Sequence, residues 1–369
     1  MTLSRSVRAL VDEAIGAGIF PSAALLVGAG DAIAFEYYAG AVHAGAPPDA
    51  DTVYDLASLT KPLATVAILL RLSERGLVTV HAPVSAVLPD FASGDARRAA
   101  VTIASLLSHS SGLPAHRRYF EVVEAEQRAS GQKLVGTRAG AMRIQDLAQR
   151  EPLEREPEKQ AVYSDVGFII LGRIVELVTG RTLDRVFREE IAAPLGLEST
   201  GYVDLEAEPP AFVARAAPCG PCAWRGKHVR GEVQDENAWA MGGVAGHSGL
   251  FSTAREVHRT VAQHVRAWRG EESLFARELV PSFWTRDRVT PASTWALGWD
   301  TPSPRESSAG RFVSPTSVGH LGFTGTSMWI DLERGLHAIF LTNRLELERD
   351  NTRMRAFRPR LHDAIFGGI

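Results

Sequence analysis

The sequence predicts an α+β fold in which both ends of the chain contribute strands to one sheet and a mostly helical lobe lies between them. Two runs typical of strands, 23–27 and 32–38, are separated by a short Gly-rich turn. A second pair, 326–330 and 336–341, flanks another turn close to the carboxyl terminus. The intervening chain has the texture of helices and long loops, which predicts an inserted helical lobe.

The helices follow from hydrophobic periodicity. A stripe of apolar residues at helical spacing predicts the first helix: Val7, Leu10, Val11, Ala14 and Ile15. The runs 62–72 and 166–178 are apolar almost all round and therefore predict buried helices. A last helix is expected from about residue 351, whereas 201–240 is rich in Pro, Gly and charge and is expected to be irregular.

These elements predict two regions. Residues 1–78 and 253–369 are expected to form the sheet region, and residues 79–252 the inserted lobe. At 369 residues with 45% hydrophobic content, the chain can bury a large core.

Charge and hydropathy exclude some classes of partner. A net charge of −3 argues against nucleic acid as the main partner, and no apolar run is long enough to span a bilayer. Arg5, Arg8, Asp12 and Glu13 interrupt the first thirty residues, which are therefore not typical of a signal peptide. We expect a cytoplasmic protein, or a periplasmic or secreted one if a leader was trimmed. A cluster of Arg near the carboxyl terminus, interleaved with acids, is expected to form a solvated helix face.

The first candidate for chemistry is the segment Ser58-Leu59-Thr60-Lys61. A Ser and a Lys three residues apart at the start of a helix share one face, which places an amine within reach of a hydroxyl. Such a spacing also arises by chance. Ser130 and Lys133 have it too, but Gly131 interrupts them and no long apolar helix follows, so this copy is expected to be loop.

Two further segments strengthen the interpretation. Tyr163-Ser164-Asp165 precedes the second buried helix, and a Tyr beside a Ser/Lys pair can carry a proton. The segment 320–326, His-Leu-Gly-Phe-Thr-Gly-Thr, leads into the last predicted hairpin. Its small residues would let a substrate lie against the strand, where backbone N–H groups can stabilise an oxyanion.

Together and in this order, the three segments resemble those of the penicillin-recognising serine hydrolases, which include class C β-lactamases, D-alanyl-D-alanine carboxypeptidases and related esterases. The motifs of that superfamily are S-x-x-K, then Y-x-N or S-x-N, then K-T-G or H-x-G. The segments 55–61, 106–114 and 242–252 also look like segments of the superfamily, and the resemblance extends from about 23 to 341. It implies an antiparallel sheet flanked by helices, with the active site between the sheet and the helical lobe.

The resemblance implies a role for each matching residue. Ser58 would be the nucleophile, Lys61 the adjacent base and Tyr163 a second proton carrier. The backbone N–H groups of Ser58 and Phe323 would form the oxyanion hole. The resemblance implies no cofactor and no metal, and a small ester, amide or β-lactam as the substrate.

Two departures from the motifs bear on the substrate. Asp165 stands where the superfamily often has a neutral amide, and should hold Lys61 charged and shift proton transfer towards Tyr163. His320 replaces a Lys, and Leu321 before Gly322 replaces a Thr, so a substrate carboxylate would be held less firmly. Arg344 could supply another anion contact.

These departures favour an esterase or a broad ester/amide hydrolase. A carboxypeptidase or a class C-like β-lactamase is the alternative within the superfamily. A non-catalytic binding protein on the same fold is the alternative from another class.

The two cysteines suggest a different chemistry. Cys219-Gly220-Pro221-Cys222 has the spacing of a thiol redox motif, but Pro and Gly on both sides indicate a loop rather than a strand followed by a helix. We expect a chance pair or an incidental disulfide, and no metal site, because no further Cys or His has finger-like spacing.

Overall fold

The computed structural model describes residues 3–42, 45–286, 290–347, 349 and 352–368. Its α-helices are α1 (Leu3–Gly16), α2 (Ala67–Glu74), α3 (Ile103–Leu107), α4 (Tyr119–Ser130), α5 (Arg138–Gln149), α6 (Asp165–Thr179), α7 (Leu183–Phe187), α8 (Glu236–Ala240), α9 (Ala254–Trp268), α10 (Val280–Trp284) and α11 (Arg353–Phe366). Its strands are β1 (Ser22–Ala29), β2 (Ala32–Gly40), β3 (Tyr54–Asp55), β4 (Gly201–Tyr202), β5 (Pro218–Cys222), β6 (Lys227–Arg230), β7 (Leu250–Ser252), β8 (Val318–Leu321), β9 (Ser327–Asp331) and β10 (Leu336–Thr342).

Both ends of the chain build the main sheet. Its order is β2-β1-β10-β9-β8, and every neighbouring pair is antiparallel. Strand β1 pairs along its length with β10, so that Leu25 lies opposite Phe340. The predicted α+β class and the two predicted hairpins are confirmed. The division at 78/79 and 252/253 stays a prediction.

Two layers of helix cover the two faces of this sheet. Helices α1 and α11 pack on one face, where the Phe20 ring lies 5.3 Å from that of Phe340 and 5.1 Å from that of Phe357. On the other face a second, larger core joins the sheet to α2, α6 and α9. Because apolar side chains on both faces are removed from water, the sheet is held between these layers and forms a rigid base.

Short strands and a short helix lie within 201–240, which was expected to be irregular. A short sheet with the order β3-β7-β4 places Tyr54 opposite Ser252, immediately before the Ser58 segment. Strands β5 and β6 form a separate two-stranded hairpin, and α8 follows it. The prediction that this stretch is wholly irregular was therefore wrong. A two-stranded hairpin tolerates Pro in a strand, because one edge of each strand needs no hydrogen-bonding partner.

Among the residues that the structure describes, no helix combines the length and the apolarity needed to cross a bilayer.

Candidate active site

The chain turns sharply where it enters the Ser58 segment. Ala57 has a φ of +47°, a left-handed conformation that costs energy in a residue with a Cβ atom. One 3₁₀ turn (Ala57–Leu59) is followed by a π-helical turn (Lys61–Val66) that runs into α2. Pro62 lies in the first turn, where a missing N–H has little cost. The predicted helix is present, but its first turn is wider than an α-helix.

Lys61 is fully buried and its ammonium group is saturated with acceptors. Nζ donates to Asp165 Oδ1 at 2.7 Å, to the His247 carbonyl at 3.0 Å and to Ser58 Oγ at 3.2 Å. An ammonium has three N–H groups, and all three are used here. The arrangement therefore suits a charged lysine, with the Ser58 hydroxyl as one of its acceptors.

The electrostatics of this pair agree with the geometry. Burial, the largest single effect, lowers the pKa of Lys61, but Asp165 and, after it, Tyr163 together outweigh burial and raise the pKa above its usual 10.5. Burial pushes the pKa of Asp165 upward, yet Lys61 and His116 hold it below its usual 3.8. The contact with Asp165 thus favours the charged form of Lys61.

Tyr163 lies against the same ammonium group. Lys61 Nζ is 4.8 Å from the centre of the Tyr163 ring, and the buried hydroxyl makes no close hydrogen bond within the described residues. Burial raises the pKa of Tyr163, and the neighbouring Asp165 adds to this, although Lys61 and Ser58 pull it down. In its resting state Tyr163 is thus a neutral phenol, not a tyrosinate.

His109 packs against the Tyr163 ring and hydrogen-bonds the backbone on both sides of it. Its Nδ1 accepts the Ser164 N–H at 3.1 Å and its carbonyl accepts the Val162 N–H at 2.8 Å. Its ring centre lies 4.7 Å from that of Tyr163 and 4.4 Å from that of Trp295. The residues before and after Tyr163 are therefore both held by His109, one through its backbone carbonyl and one through its imidazole, and burial holds the pKa of that imidazole well below 6.5.

The loop after β8 is tied directly to the Ser58 turn. Thr324 Oγ1 donates to the Asp55 carbonyl at 2.9 Å, and Thr326 Oγ1 donates to the Leu56 carbonyl at 3.2 Å. At Gly322 a Cβ atom would collide with Thr326 Oγ1 and press on the Leu56 carbonyl, so this approach requires glycine. These contacts bring Phe323 to the same cavity as Ser58.

The cavity at Ser58 has a volume of about 300 Å³. We call it the inner pocket; its lining comprises Asp55, Ala57, Ser58, His116, Tyr163, Asp165, Gln234, Asp235, Glu236, Ser248, Phe323, Thr324 and Arg349. Of the predicted site residues, Ser58, Tyr163, Asp165 and Phe323 line it, and Lys61 contacts Ser58 from beneath.

The other predicted substrate contacts lie behind this surface. His320 is buried on β8, where Nδ1 hydrogen-bonds the Leu321 carbonyl at 2.8 Å and burial lowers its pKa to about 3. Leu321 and Gly322 continue the strand into its loop. Arg344 donates through Nε to the Phe323 carbonyl at 2.8 Å and supports that loop rather than lining the pocket. The arginine at the pocket is Arg349, which is paired with Glu236 at 2.8 Å.

Comparison with known proteins agrees with this geometry. The family model described as Beta-lactamase matches residues 7–361. The chain belongs to the β-lactamase family. A putative D-alanyl-D-alanine carboxypeptidase of Escherichia coli (strain K12) is 33% identical over 316 residues, which cover 79% of this chain and 69% of that protein. An N-acetylmuramyl-L-alanine amidase of Bacillus subtilis (strain 168) is 33% identical over 368 residues, 92% of this chain and 80% of that one.

The fold of this β-lactamase-family chain also matches solved structures. EstCE1, a hydrolase with promiscuous acyltransferase activity, superposes with a TM-score of 0.75 at 21% identity, covering 99% of this chain and 98% of that one. A likeness at this identity concerns the fold. With the family established, the protein is a serine hydrolase, and the non-catalytic alternative loses its support.

Sequence reasoning missed several residues of this β-lactamase-family site. The segment 242–252 was noted only as similar to a segment of the superfamily; Gly246 packs closely on α6, and the next carbonyl, that of His247, accepts a hydrogen bond from Lys61. Ser248 lines the inner pocket with a buried hydroxyl that has no partner within the described residues. His116, 47% exposed, lies 3.6 Å from Asp165, which raises its pKa. None of these follows a spacing rule, because each arrives from a distant segment.

The carboxyl-terminal arginines also differ from the expectation of a solvated face. Arg353, Arg355 and Arg360 are exposed on α11. Arg358 instead turns inward and donates to the Gly322 carbonyl at 2.6 Å and the Thr326 carbonyl at 2.9 Å. With Arg344, it satisfies carbonyl groups of the loop that carries Phe323.

Cys219 and Cys222 lie on β5 as free, buried thiols. Burial raises the pKa of Cys219 well above its usual range, which opposes formation of the thiolate that redox chemistry requires. The expectation of a loop was wrong here, and no disulfide joins the pair. Within the described residues, no group of three or more potential ligands is arranged to hold a metal ion.

Proposed function

We propose that the protein is an esterase, or a broad ester/amide hydrolase, that works through an acyl-enzyme on Ser58. Ser58 and Tyr163 line the inner pocket, and Lys61 donates a hydrogen bond to the Ser58 hydroxyl. Ser58 Oγ would attack the carbonyl carbon, and the backbone N–H groups of Ser58 and Phe323 would stabilise the oxyanion. The bond to the leaving group then breaks, and water releases the acyl group.

The Ser58 proton would be handled by Lys61 and Tyr163 as a coupled unit. With Lys61 charged and Tyr163 neutral, neither is a ready base in the resting enzyme. The loss of one proton from Lys61 and Tyr163 together would generate the group that accepts the proton of Ser58. Asp165 disfavours the neutral amine form of Lys61 in this pair. The proton that this unit takes from Ser58 Oγ is later delivered to the leaving group, whose oxygen or nitrogen departs neutral.

One observation carries the preference for esters: among the described residues that line the inner pocket, His116 and Arg349 can carry positive charge, and each is paired with a carboxylate, so neither is free to hold a substrate carboxylate next to the scissile bond. His320 is neutral and buried, Arg344 supports the Phe323 loop, and the guanidinium of Arg349 is bound to Glu236. A D-alanyl peptide or a β-lactam carries such a carboxylate, whereas a simple ester does not. A neutral ester needs no cation in the pocket, so the lack of a free one does not weaken its binding.

The test begins with the nucleophile. Intact-protein mass is measured after incubation with a fluorophosphonate, for wild type and Ser58→Ala; one adduct on wild type alone is expected. Turnover of p-nitrophenyl butyrate, nitrocefin and a D-alanyl-D-alanine peptide is then compared. Absence of an adduct on wild type, or turnover of the peptide and not the ester, would overturn the proposal.

The second candidate is D-alanyl-D-alanine carboxypeptidase activity. It is supported by the relative of Escherichia coli, whose name carries that activity and which is 33% identical to this chain. The same substrate comparison separates the two, because a carboxypeptidase must release D-alanine.

A further inference from the structure

A second cavity, of about 740 Å³, adjoins the inner pocket. We call it the outer compartment; its lining is His116, Arg118, Phe120, Pro221, Cys222, Ala223, Trp224, Gly226, Lys227, His228, Glu236 and Arg349. His116, Glu236 and Arg349 line both cavities. A substrate whose scissile bond lies at Ser58 can therefore continue past these three residues into the outer compartment, and this larger space lies within the usual range for ligand sites.

A fixed aromatic surface forms part of this compartment. The Trp224 ring packs 4.6 Å from that of Phe120 and 5.6 Å from that of Trp239, measured between ring centres. The Trp224 indole N–H donates to Glu124 at 3.2 Å, which sets the orientation of the ring. The β5–β6 hairpin thus presents an apolar surface that is already ordered before any substrate arrives.

In the part of the lining that the structure describes, cations outnumber acids. Arg118 and Lys227 are 65% and 42% exposed, and each is paired with a carboxylate outside the lining, Glu121 at 2.9 Å and Glu232 at 2.8 Å. Exposed pairs of this kind are weak, and both cations retain unused N–H groups for a second anion. Among the described residues, Glu236 is the one carboxylate in the lining, and Arg349 already neutralises it.

We propose that the outer compartment binds an anionic group carried on an apolar or aromatic spacer, at the end of the substrate remote from the scissile bond. The inference rests on the proposed function and names the class of substrate that it acts on. Trp224 and Phe120 would contact the spacer, and Arg118 and Lys227 the anion. The anion lies beyond the inner pocket, so this recognition differs from a carboxylate clamp at the scissile bond.

Matched esters test the proposal. The probes are mono-p-nitrophenyl esters of dicarboxylic acids from adipate to sebacate, each compared with its methyl-capped neutral counterpart. At one chain length the free carboxylate is expected to raise kcat/KM about fivefold or more over the neutral ester, and added salt should reduce this ratio. Calorimetric binding of the same pair to Ser58→Ala reports the preference without turnover.

The variants isolate the outer compartment. Arg118→Gln/Lys227→Gln should bring the ratio to about one, while Arg150→Gln/Lys133→Gln removes the same charges from exposed positions outside both cavities and should leave it unchanged. Trp224→Ala should lower kcat/KM for the charged ester and for the neutral ester by the same factor. A ratio near one in wild type at every length, or one insensitive to the first double variant, would overturn this inference alone. Binding preference without any turnover would instead count against the proposed function.

Discussion

Asp165 Oδ1 lies 2.7 Å from Lys61 Nζ, although 104 positions separate the two residues in the chain. Lys61 is wholly buried and Asp165 is 20% exposed at its side chain, so water screens this ion pair poorly. The carboxylate fixes the charge of the very group that would accept the Ser58 proton. The contact therefore stabilises the folded protein but opposes the loss of the proton that Lys61 must give up to act as a base.

The first prediction follows from that opposition. Asp165→Asn removes the carboxylate that raises the pKa of Lys61, so the neutral amine forms at lower pH. The rise of kcat/KM with pH for a neutral ester should move to lower pH, as measured across pH 5–10. The exposed Asp90→Asn serves as the control. An unchanged profile would show that Lys61 and Asp165 do not govern the reactive proton.

The same change should cost stability. Removing one partner from a buried pair costs on the order of 3 kcal/mol. The folded pKa of Asp165 is lowered from 3.8 and that of Lys61 is raised from 10.5, so the contribution is complete between these values. It is lost as pH falls through the folded pKa of Asp165 or rises through that of Lys61. Urea denaturation at pH 7 measures the difference between wild type and variant.

The second prediction concerns His109 as a positioning residue. His109→Ala removes the acceptor for the Ser164 N–H and the ring against Tyr163, so Tyr163 should lose its fixed placement. We expect kcat to fall by about 10- to 100-fold with KM changed less than threefold, because a misplaced catalytic group affects chemistry more than binding.

A matched histidine controls for stability. His264 is also buried, with a pKa lowered to about 4, but it packs on Phe275 and Trp284 away from the inner pocket. His264→Ala should destabilise the protein comparably and leave kcat intact below the unfolding transition. Equal losses of kcat in the two variants would mean that His109 acts through stability alone.

The sequence predicts those parts of the site that depend on local spacing. Ser58 and Lys61 share one helical face, and Tyr163 precedes a buried helix, so both patterns are visible in the chain. The contact between Lys61 and the His247 carbonyl is invisible there, because any residue type supplies a carbonyl. The burial of His320 likewise depends on the packing of Trp295 and β8 around it, which no single segment encodes.

The β5–β6 hairpin shows a second limit of sequence reasoning. Pro218, Gly220 and Pro221 break the alternation that normally marks a strand, yet the hairpin forms because its two strands pair only with each other. Arg344 and Arg349 show the same limit for charge. Both lie near Phe323, and only the backbone path decides which guanidinium supports the loop and which reaches the pocket.

The third prediction concerns the two thiols. Cys219→Ala/Cys222→Ala should keep kcat/KM for a short neutral ester within about twofold of wild type, because neither thiol lines the inner pocket. The native thiols should react slowly with a thiol reagent, since both are buried and the pKa of Cys219 is raised. A large loss of ester turnover in the double variant, or strong dependence on reductant, would revive the redox interpretation.

The fourth prediction is acid lability. Burial lowers the pKa of six histidines below 6.5: His109, His258, His264, His320, His337 and His362. As pH falls, these histidines bind protons in the unfolded chain at a higher pH than in the folded protein. Their contribution to the free energy of unfolding is therefore present above pH 6.5 and is lost progressively below it. Each can contribute up to about 1.4 kcal/mol of stability per pH unit, and the six together up to about 8 kcal/mol per pH unit, against a typical total stability of about 5–15 kcal/mol. Urea midpoints at pH 8, 7, 6 and 5 should therefore fall steeply below pH 6.5, and replacing His264 with Phe should flatten the slope. A midpoint that stays constant down to pH 5 would contradict the burial of these side chains as neutral imidazoles.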